Sequence, residues 1–350
     1  MSVMRFGLFI FAVSLDSQRD GEVISKTLRQ VEFAEELGFD AVFLAEHHFD
    51  GSSAYVDPVV FAAALAAKTT SIEIGFAVVQ LALHHPVRLA EQTALIDQLS
   101  GGRLIVGTGR GSLYNIFEYL GYGVSIEDGA DMAAESEDLL LKAWTQTNVR
   151  HEGKFWQSRF GEIRPRPYRD PHPELVRAAM SQASVTEMAR LGRPILMGSA
   201  PSRLIADRFA LYKAEMKKAG FDDKEIAQRM SRSWVARGAC LAPTDEEAIE
   251  IGTAAHLREF EHATKARERW NPSLSAEKLP AGYNTPPSVE EDLGDTLLAG
   301  SPDTLRKHLA DLEASGVPNV FFQMDIGDMD EHLVRRSMKL FAEEVMPEFS

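Results

Sequence analysis

Residues 74–111, IGFAVVQLALHHPVRLAEQTALIDQLSGGRLIVGTGRG, carry the pattern that decides the fold. The apolar run at 71–79 predicts a strand, the amphipathic stretch at 86–99 predicts a helix, and residues 102–107 predict a second strand. Two strands joined by a helix in this way are typical of a βαβ unit, in which the strands run parallel. The sequence therefore predicts an α/β protein built around a parallel sheet.

The same alternation of strand and helix extends to both ends of the chain. Each predicted strand has a helix after it, and the eight predicted strands are residues 5–11, 41–45, 71–79, 102–107, 175–180, 194–198, 235–241 and 320–323. Eight βα units indicate a closed (β/α)8 TIM barrel, whose active site lies at the carboxyl ends of the strands. An open doubly wound sheet shares the same local pattern and is the alternative architecture.

The chain is longer than a minimal barrel, because it has 350 residues and such a barrel needs roughly 250. Residues 148–168 are rich in Gly, Pro and aromatic side chains, which predicts a hairpin insertion. Residues 265–300 contain four prolines and little periodicity, which is typical of a mobile lid loop. We therefore predict a single domain over residues 1–350 with insertions at about 148–168 and 265–300.

Charge and cysteine content narrow the function. The chain has 37 basic and 52 acidic residues, a net charge of −15, which disfavours nucleic acid and anionic membranes as partners. Cys240 is the one cysteine, so redox chemistry requires a bound cofactor. The N-terminal stretch does not read as a secretion signal, and no apolar run reaches the roughly 18 residues that cross a bilayer. We expect a cytoplasmic protein.

Histidines follow two of the predicted strands at the end where a barrel binds its ligands. Glu46-His47-His48 follows the second strand, and His84-His85 follows the third. We expect one histidine of the first run to be functional, and His84 and His85 to bond backbone carbonyls at loop starts. The same structural role is the alternative for His48. A metal site made of Glu46, His47 and His85 is an alternative, but the residues lack a typical metal-ligand spacing, and we predict no metal.

Two other strand ends could hold an anion. Residues 107–111, GTGRG, follow the fourth strand, but Ser112 stands where a dinucleotide fingerprint needs glycine. Arg110 instead offers a fixed cation with a forked donor set. After the fifth strand, Ser184 and Glu187 have the spacing of a capping box, and the helix start they predict favours a phosphate.

Several stretches together resemble the bacterial luciferase-like flavin monooxygenase family. They are LAEHHF at 44–49, the whole run at 74–111, ASVTEMARLGRP at 183–194, GSPDTLRKHLADLEASGVPNVFFQMDIG at 300–327 and LFAEEVMPEF at 340–349. The resemblance runs nearly from end to end, and the combination of EHHF with HPVRxAE is more specific than either piece alone. It implies the (β/α)8 barrel that the strand count also predicts.

The resemblance also implies a reaction. Reduced FMN would bind at the barrel mouth and react with O2 to give a flavin C4a-hydroperoxide, which oxygenates a small organic substrate such as an aldehyde, ketone or alkane. His47 takes the place of the family's catalytic histidine, and the Ala77-Val78 peptide that of an unusual cis peptide beneath the flavin ring. Gly109 stands where true luciferases carry a reactive cysteine, so light emission is not expected.

By the same resemblance, a set of residues at the strand ends would bind the cofactor. These are Ala77, Val78, Gly109, Arg110, Ser181, Gln182, Ser184 and Val185, with Arg110 and the last four at the FMN phosphate. Val185 stands where the family can have a threonine, so it would offer only its backbone N–H.

The substrate and the partners follow less directly from the residues. Phe49, Tyr114 and Phe117 are candidates for an apolar substrate wall, with ordinary core packing as the alternative. The chain has no NAD(P)H fingerprint, so we expect a separate NAD(P)H:flavin reductase to supply reduced FMN. The resemblance suggests a homodimer. An oxidoreductase that uses the deazaflavin F420, and a flavin-binding protein without turnover, are the alternative functions.

Overall fold

The structure is a computed structural model that describes residues 4–272 and 292–349. Its strands are β1 (Arg5–Ile10), β2 (Ala41–Leu44), β3 (Glu73–Phe76), β4 (Val79–Gln80), β5 (Leu104–Gly109), β6 (Val149–Glu152), β7 (Gln157–Phe160), β8 (Glu174–Ala178), β9 (Ile195–Met197), β10 (Trp234–Leu241), β11 (Leu297–Gly300) and β12 (Asn319–Gln323). Parallel pairing runs from β1 through β2, β3, β5, β8, β9, β10 and β12 and back to β1. The predicted eight-stranded (β/α)8 barrel is therefore confirmed.

Helices alternate with the strands of the barrel. They are α1 (Asp20–Glu36), α2 (Pro58–Lys68), α3 (Pro86–Ser100), α4 (Ile116–Gly121), α5 (Gly129–Thr145), α6 (Gln182–Arg190), α7 (Ser202–Lys218), α8 (Asp223–Met230), α9 (Asp245–Trp270), α10 (Pro302–Ala314) and α11 (Glu331–Glu344). In the stretch that decides the fold, α3 begins at Pro86 and ends at Ser100, and its C-cap is Gly101, whose φ of +64° suits a residue without Cβ. The predicted strand at 71–79 is divided into β3 and β4.

Aromatic side chains fill the interior of the barrel. The centroid of the Phe43 ring lies 4.7 Å from that of Phe321 and 5.0 Å from that of Trp234. Gly75 on β3 makes room for this cluster, because a Cβ at that position would lie 2.5 Å from the Phe43 ring. The interior is thus a packed core, and a ligand has to bind beyond the ends of the strands.

Of the two predicted insertions, the first has the predicted form. Strands β6 and β7 pair antiparallel as a hairpin between α5 and β8. The second was predicted as a loop over 265–300, and this is wrong at both edges: α9 continues to Trp270, and Leu297–Gly300 forms β11, which pairs with β10. A helix C-cap at Asn271 explains where α9 stops. Residues 273–291 of the predicted lid lie outside the described residues.

Two further expectations concern the whole chain. Among the described residues, no helix is both long and apolar enough to cross a membrane. Cys240 lies buried in β10, and burial raises the pKa of its thiol to about 11. The cysteine is therefore a small core residue rather than a reactive thiol.

Candidate functional site

A cavity of about 640 Å³ opens at the carboxyl ends of β2 to β8. We call it the mouth cavity. It is lined by Glu46, His47, Ala77, Val78, Gln80, Gly109, Arg110, Gly111, Ser112, Ala130, Ala134, Arg177, Ala178, Met180, Ser181, Ser184, Glu187 and Met188. Most of the residues predicted to bind a cofactor, and the predicted catalytic histidine, therefore surround one space.

His47 is held in the wall of this cavity by a buried carboxylate. Its Nδ1 lies 3.1 Å from Oε1 of Glu118, and the side-chain amide of Asn115 lies 3.4 Å from the same nitrogen. The Glu118 side chain is fully buried, whereas 27% of the His47 side chain is exposed. Burial lowers the pKa of His47, but the hydrogen bond and charge of Glu118 outweigh it, so the pKa is raised above its ordinary value.

Glu46 organises the neighbouring histidines. Its Oε1 lies 2.8 Å from Nε2 of His48 and 2.7 Å from Nε2 of His84. The expectation that His84 bonds a backbone carbonyl, and the same alternative for His48, are therefore wrong, because a buried carboxylate takes both. Burial raises the pKa of Glu46, but its hydrogen bonds to the two histidines outweigh this and lower it. The hydroxyl of Tyr122 lies 3.2 Å from Nδ1 of His48 and extends this chain of contacts.

Gln80 links the two buried carboxylates. Its backbone N–H donates to Glu46 Oε2 at 2.6 Å, and its side-chain amide donates to Glu118 Oε2 at 2.9 Å. The Oε1 of Gln80 is buried and has no hydrogen-bond partner within the part of the chain that the structure describes. A buried acceptor of this kind at a cavity wall calls for a donor from a ligand.

The floor of the mouth cavity lies at the break between β3 and β4. The Ala77-Val78 peptide bond is cis, as the resemblance implied. Gly109 at the end of β5 faces this peptide, because a Cβ on Gly109 would lie 2.5 Å from Cγ2 of Val78. Glycine is therefore required at 109 for the two strand ends to approach.

Two arginines supply positive charge to the cavity. Arg110 follows β5, is exposed, and forms no ion pair with the residues at 4–272 and 292–349. Arg177 on β8 lies 2.8 Å from the Glu137 carboxylate. Burial lowers the pKa of Arg177, and the negative charge of Glu187 partly opposes that shift. Arg177 was not predicted, although its place near the end of a strand is a signal that could have found it.

The start of α6 differs from the prediction. Ser181 is the N-cap, because its hydroxyl accepts the backbone N–H of Ser184 at 3.1 Å. The predicted cap, Ser184, already lies within the helix, and its hydroxyl donates to the Ser181 carbonyl at 3.0 Å. Glu187 lines the cavity and is not part of a capping box.

Two of the predicted cofactor-binding residues on α6 do not line the mouth cavity. Val185 is fully buried in the core, and its backbone N–H donates to the Ser181 carbonyl at 3.0 Å, so that donor is taken. Gln182 borders a shallow surface groove with Arg190 and Leu191 instead. Helical periodicity explains both cases, because successive residues of one turn point in different directions.

A smaller cavity of about 130 Å³ shares His47 with the mouth cavity. We call it the side cavity. It is lined by Phe11, Val13, His47, Asp50, Ser52, Ser53, Asn115, Phe117, Glu259, His262, Ala263 and Arg267. Of the three predicted substrate-wall residues, it contains Phe117.

The other two candidates for the substrate wall line neither cavity. Phe49 has a φ of +63° and turns outward, where its 52% exposed side chain packs 5.5 Å from the Tyr122 ring. The Arg267 guanidinium lies over the Tyr114 ring, with its carbon 5.3 Å from the ring centroid. The backbone carbonyl of Tyr114 accepts a hydrogen bond from the Asn271 side-chain amide at 2.7 Å. Tyr114 thus joins the end of α9 to the loop before α4.

Sequence reasoning missed the groups that hold His47 in place. Glu118 lies on the short helix α4, and nothing local marks it as a partner of a histidine 71 residues earlier in the chain. Gln80 stood at a predicted strand end, which was a usable signal. Within the described ranges, no three His, Cys, Asp or Glu side chains converge so as to hold a metal ion.

Comparison with known proteins identifies the family. The sequence model of the luciferase-like monooxygenases matches residues 4–319. The chain belongs to this family. Among curated luciferase-like relatives, the oxygenase component of flavin-dependent trigonelline monooxygenase from Acinetobacter baylyi is 24% identical over 99% of this chain and 96% of its own length.

Solved structures of luciferase-like proteins share the fold. The monooxygenase RslO1 from Streptomyces bottropensis superposes with a TM-score of 0.83 at 27% identity, over 99% of this chain and 100% of its own. The oxygenating constituent of 3,6-diketocamphane monooxygenase from Pseudomonas putida, in complex with FMN, gives 0.77 at 19% identity over 99% of both chains. The coenzyme F420-dependent tetrahydromethanopterin reductase from Methanopyrus kandleri gives 0.73 at 18% over 100% of both. Of these neighbours, one is in complex with FMN and another depends on coenzyme F420.

Proposed function

We propose that this chain is the oxygenase of a monooxygenase system that uses reduced FMN and O2 to oxygenate a single small organic substrate. The observation that carries the proposal is the mouth cavity. Its wall places His47, the Ala77-Val78 peptide and the Arg110 guanidinium around one space at the end of the barrel where ligands bind. Membership of the luciferase-like monooxygenase family supports an oxygenase.

The residues of the mouth cavity fit a flavin. The orphaned Oε1 of Gln80 can accept a hydrogen bond from a flavin ring N–H. The absence of a side chain at Gly109 keeps the floor open, and the exposed fork of Arg110 suits a phosphate. The volume, about 640 Å³, falls in the usual range for ligand cavities, roughly 300 to 1,000 Å³.

Reduced FMN, when bound, supplies the electrons that activate O2. The protein orients that reagent, excludes water and controls protons. Glu118 accepts a hydrogen bond from the Nδ1–H of His47, which leaves Nε2 as the atom that can give or take a proton. Because Glu118 raises the pKa of His47, the imidazole stays protonated over a wider pH range than a free histidine.

A separate reductase supplies the reduced flavin under this proposal. The glycine-rich run that follows β5 comes nearest to a dinucleotide fingerprint, and Ser112 interrupts its glycine pattern. The sequence therefore carries no fingerprint for NAD(P)H. A relative that matches nearly its whole length is named as the oxygenase component of a monooxygenase, which supports the same division of labour.

An F420-dependent hydride transfer is the second candidate, because solved F420-dependent enzymes share this fold. Fluorescence titration of the purified protein with FMN, riboflavin and F420 separates the two. We expect FMN to bind most tightly. Preferential binding of F420 would replace the proposal with the second candidate.

Oxygen consumption then tests the chemistry. Photoreduced FMN is mixed with aerobic buffer, with and without the protein, and O2 uptake and H2O2 release are followed together. We expect O2 uptake with delayed H2O2 release in the presence of the protein, and loss of the delay in His47→Ala. Bound reduced FMN that does not consume O2, or an unchanged delay in His47→Ala, would overturn the proposal.

We also propose that two copies of the chain associate through α2 and α3. Val60 on α2, and Leu95 and Leu99 on α3, are apolar and 65%, 48% and 53% exposed. Exposed apolar side chains on two helices that pack against each other suit burial against a second copy. In sedimentation, the wild type should behave as a dimer and the double variant Leu95→Glu/Leu99→Glu should behave as a monomer. A monomeric wild type would refute the proposal.

A further inference from the structure

The side cavity adjoins the proposed catalytic histidine on a face that the mouth cavity does not use. The Phe11 ring stacks on the imidazole of His47, with centroids 5.5 Å apart and planes 11° apart. The cavity holds about 130 Å³, and a cavity of roughly 150 Å³ accommodates a benzene-sized molecule. The space therefore suits a compact ligand next to His47.

The helix that closes the side cavity presents ionisable residues to it. Glu259, His262, Ala263 and Arg267 of α9 line the cavity, and their spacing places them on one face of the helix. A helix face that packs onto a barrel is normally apolar, because burying charged groups is costly. The side cavity is therefore polar on the side that α9 lines.

Glu259 is fixed in orientation by donors from β12 and from the loop that follows it. The Gln323 side-chain amide donates to its two oxygens at 3.0 and 2.8 Å, and the backbone N–H of Gly327 donates at 2.8 Å. Burial outweighs these donors, so the pKa of Glu259 is raised above its ordinary value, and a bound cation would favour the ionised form. A carboxylate has about four acceptor positions, so capacity remains for a donor from a ligand.

Asp50 provides a second carboxylate in the same cavity. Its Oδ1 accepts the backbone N–H groups of Ser52 and Ser53 at 2.8 and 3.0 Å. Burial raises the pKa of Asp50, but the charge of His47 and these amides outweigh it, so the carboxyl is an anion at neutral pH. Asp50 and Glu259 thus approach the cavity from different loops and helices.

Arg267 is the one arginine or lysine in the side-cavity lining given above. Its Nε donates to Oδ1 of Asn115 at 3.2 Å, and its guanidinium lies over the Tyr114 ring. The charge of Arg267 is therefore directed in part to the loop before α4. The net charge of −15 adds a field that attracts cations to the protein.

We infer that the side cavity binds a compact organic cation, such as a protonated amine, through the carboxylates of Glu259 and Asp50. The inference rests on the proposed function for the role of this ligand as the substrate. It narrows the substrate class, because a cation can pair with the lone pairs that the chain's own donors leave free on both carboxylates, whereas a long aliphatic aldehyde or alkane brings neither a charge nor a donor. His47 then stands between the substrate and the cofactor.

Three ring compounds of similar size test the inference. Piperidinium is the cation, tetrahydropyran the neutral analogue and cyclopropanecarboxylate the anion. Their dissociation constants are measured by saturation-transfer NMR on the protein with and without saturating oxidised FMN. We expect piperidinium to bind about tenfold more tightly than the other two, and FMN not to displace it.

Variants locate the bound cation. Glu259→Gln should weaken piperidinium binding about tenfold, and Asp50→Asn, which keeps its turn, should weaken it independently. Glu261→Gln is the matched control, because this exposed residue pairs with Lys265 on the outside of the same helix. Displacement of piperidinium by FMN, tighter binding of the anion, or unchanged binding in both variants would overturn the inference.

The same experiment separates the two proposals. If FMN fails to bind while piperidinium binding depends on Glu259, the proposed function is wrong and the cation site stands. If FMN binds and neither variant alters piperidinium binding, the cation site is wrong and the proposed function stands.

Discussion

Nδ1 of His47 lies 3.1 Å from Oε1 of Glu118, a carboxylate that is completely removed from solvent. A buried carboxylate that accepts from one ring nitrogen fixes both the orientation of the imidazole and the position of its proton. Glu118 is itself held by Gln80 and by the backbone N–H of His48. This arrangement makes the protonation of His47 a property of several residues, and it can be tested residue by residue.

Replacing Glu118 by Gln should lower the pKa of His47. The Glu118 carboxylate raises that pKa and burial lowers it, so in the variant only the charges of Asp50 and Glu46 still oppose burial. A hydrogen bond to a charged group contributes about 1.5 to 3 kcal/mol, which corresponds to a fall of about one to two pKa units. NMR titration of the His47 ring measures the change. Glu162→Gln on the exposed loop is the control, and an unshifted His47 would contradict the assignment.

Stability should depend on pH through His84. Glu46 raises the pKa of His84 against the effect of burial, so the folded state binds this proton more tightly than the unfolded state does. His84 therefore makes its whole contribution to the free energy of unfolding at pH values below the ordinary pKa of histidine. That contribution is lost as the pH rises through the raised pKa of His84 in the folded protein. Urea unfolding of wild type and His84→Asn from about pH 5.5 to about pH 9 should show a difference that shrinks with pH.

The size of this difference should be about 1 to 2 kcal/mol at the acidic end. His85→Asn provides a matched control, because the adjacent ring packs edge-on against Trp156. A difference that grows with pH would show that His84 is neutral when it bonds Glu46.

Arg110 should distinguish FMN from riboflavin. If its guanidinium contacts the phosphate, Arg110→Gln weakens FMN binding by roughly tenfold to a hundredfold and leaves riboflavin binding unchanged. Fluorescence quenching titrations measure both ligands, and Arg150→Gln on the exposed edge of β6 is the control. Equal losses for FMN and riboflavin would mean that the residue acts on the ring or on the fold.

Adding a methyl group at Gly109 should obstruct the floor of the mouth cavity. The new Cβ would lie 2.5 Å from Cγ2 of Val78, so one of the two strand ends has to move. Overpacking of this kind costs about 1 to 3 kcal/mol, and we expect FMN affinity to fall at least tenfold in Gly109→Ala. Val78→Ala removes the obstructing methyl group, so the double variant should recover much of the affinity.

Gly21→Ala is the control for this experiment, because a Cβ there meets nothing within 4 Å. A double variant that binds FMN as weakly as Gly109→Ala would show that the contact with Val78 is not the cause.

The barrel could be predicted from sequence because its pattern is local. Apolar runs, caps and helix stops such as Gly38 and Gly101 recur in each βα unit, so one good example, residues 74–111, indicates the others. The strand ends that meet at the barrel mouth follow from the fold, which is why Arg110 and Ser181 reach the same cavity as His47.

The contacts within the site could not be predicted in this way. Glu118 meets His47 across 71 positions, and no periodicity records such a pairing. Phe49 is a candidate for the substrate wall from sequence, but its left-handed backbone turns its side chain to the surface. The cap at Ser181 could have been chosen over Ser184 only by knowing where β8 ends.

His47 borders the mouth cavity and the side cavity at once. A ligand in one cavity that favours one protonation state of the His47 ring changes the proton affinity of that ring. A ligand in the other cavity then contacts a ring with a different average charge. By thermodynamic reciprocity, the factor by which cofactor binding alters substrate affinity must equal the factor by which substrate alters cofactor affinity. Under the two proposals, one shared side chain would therefore couple the two binding events allosterically without any movement of the barrel.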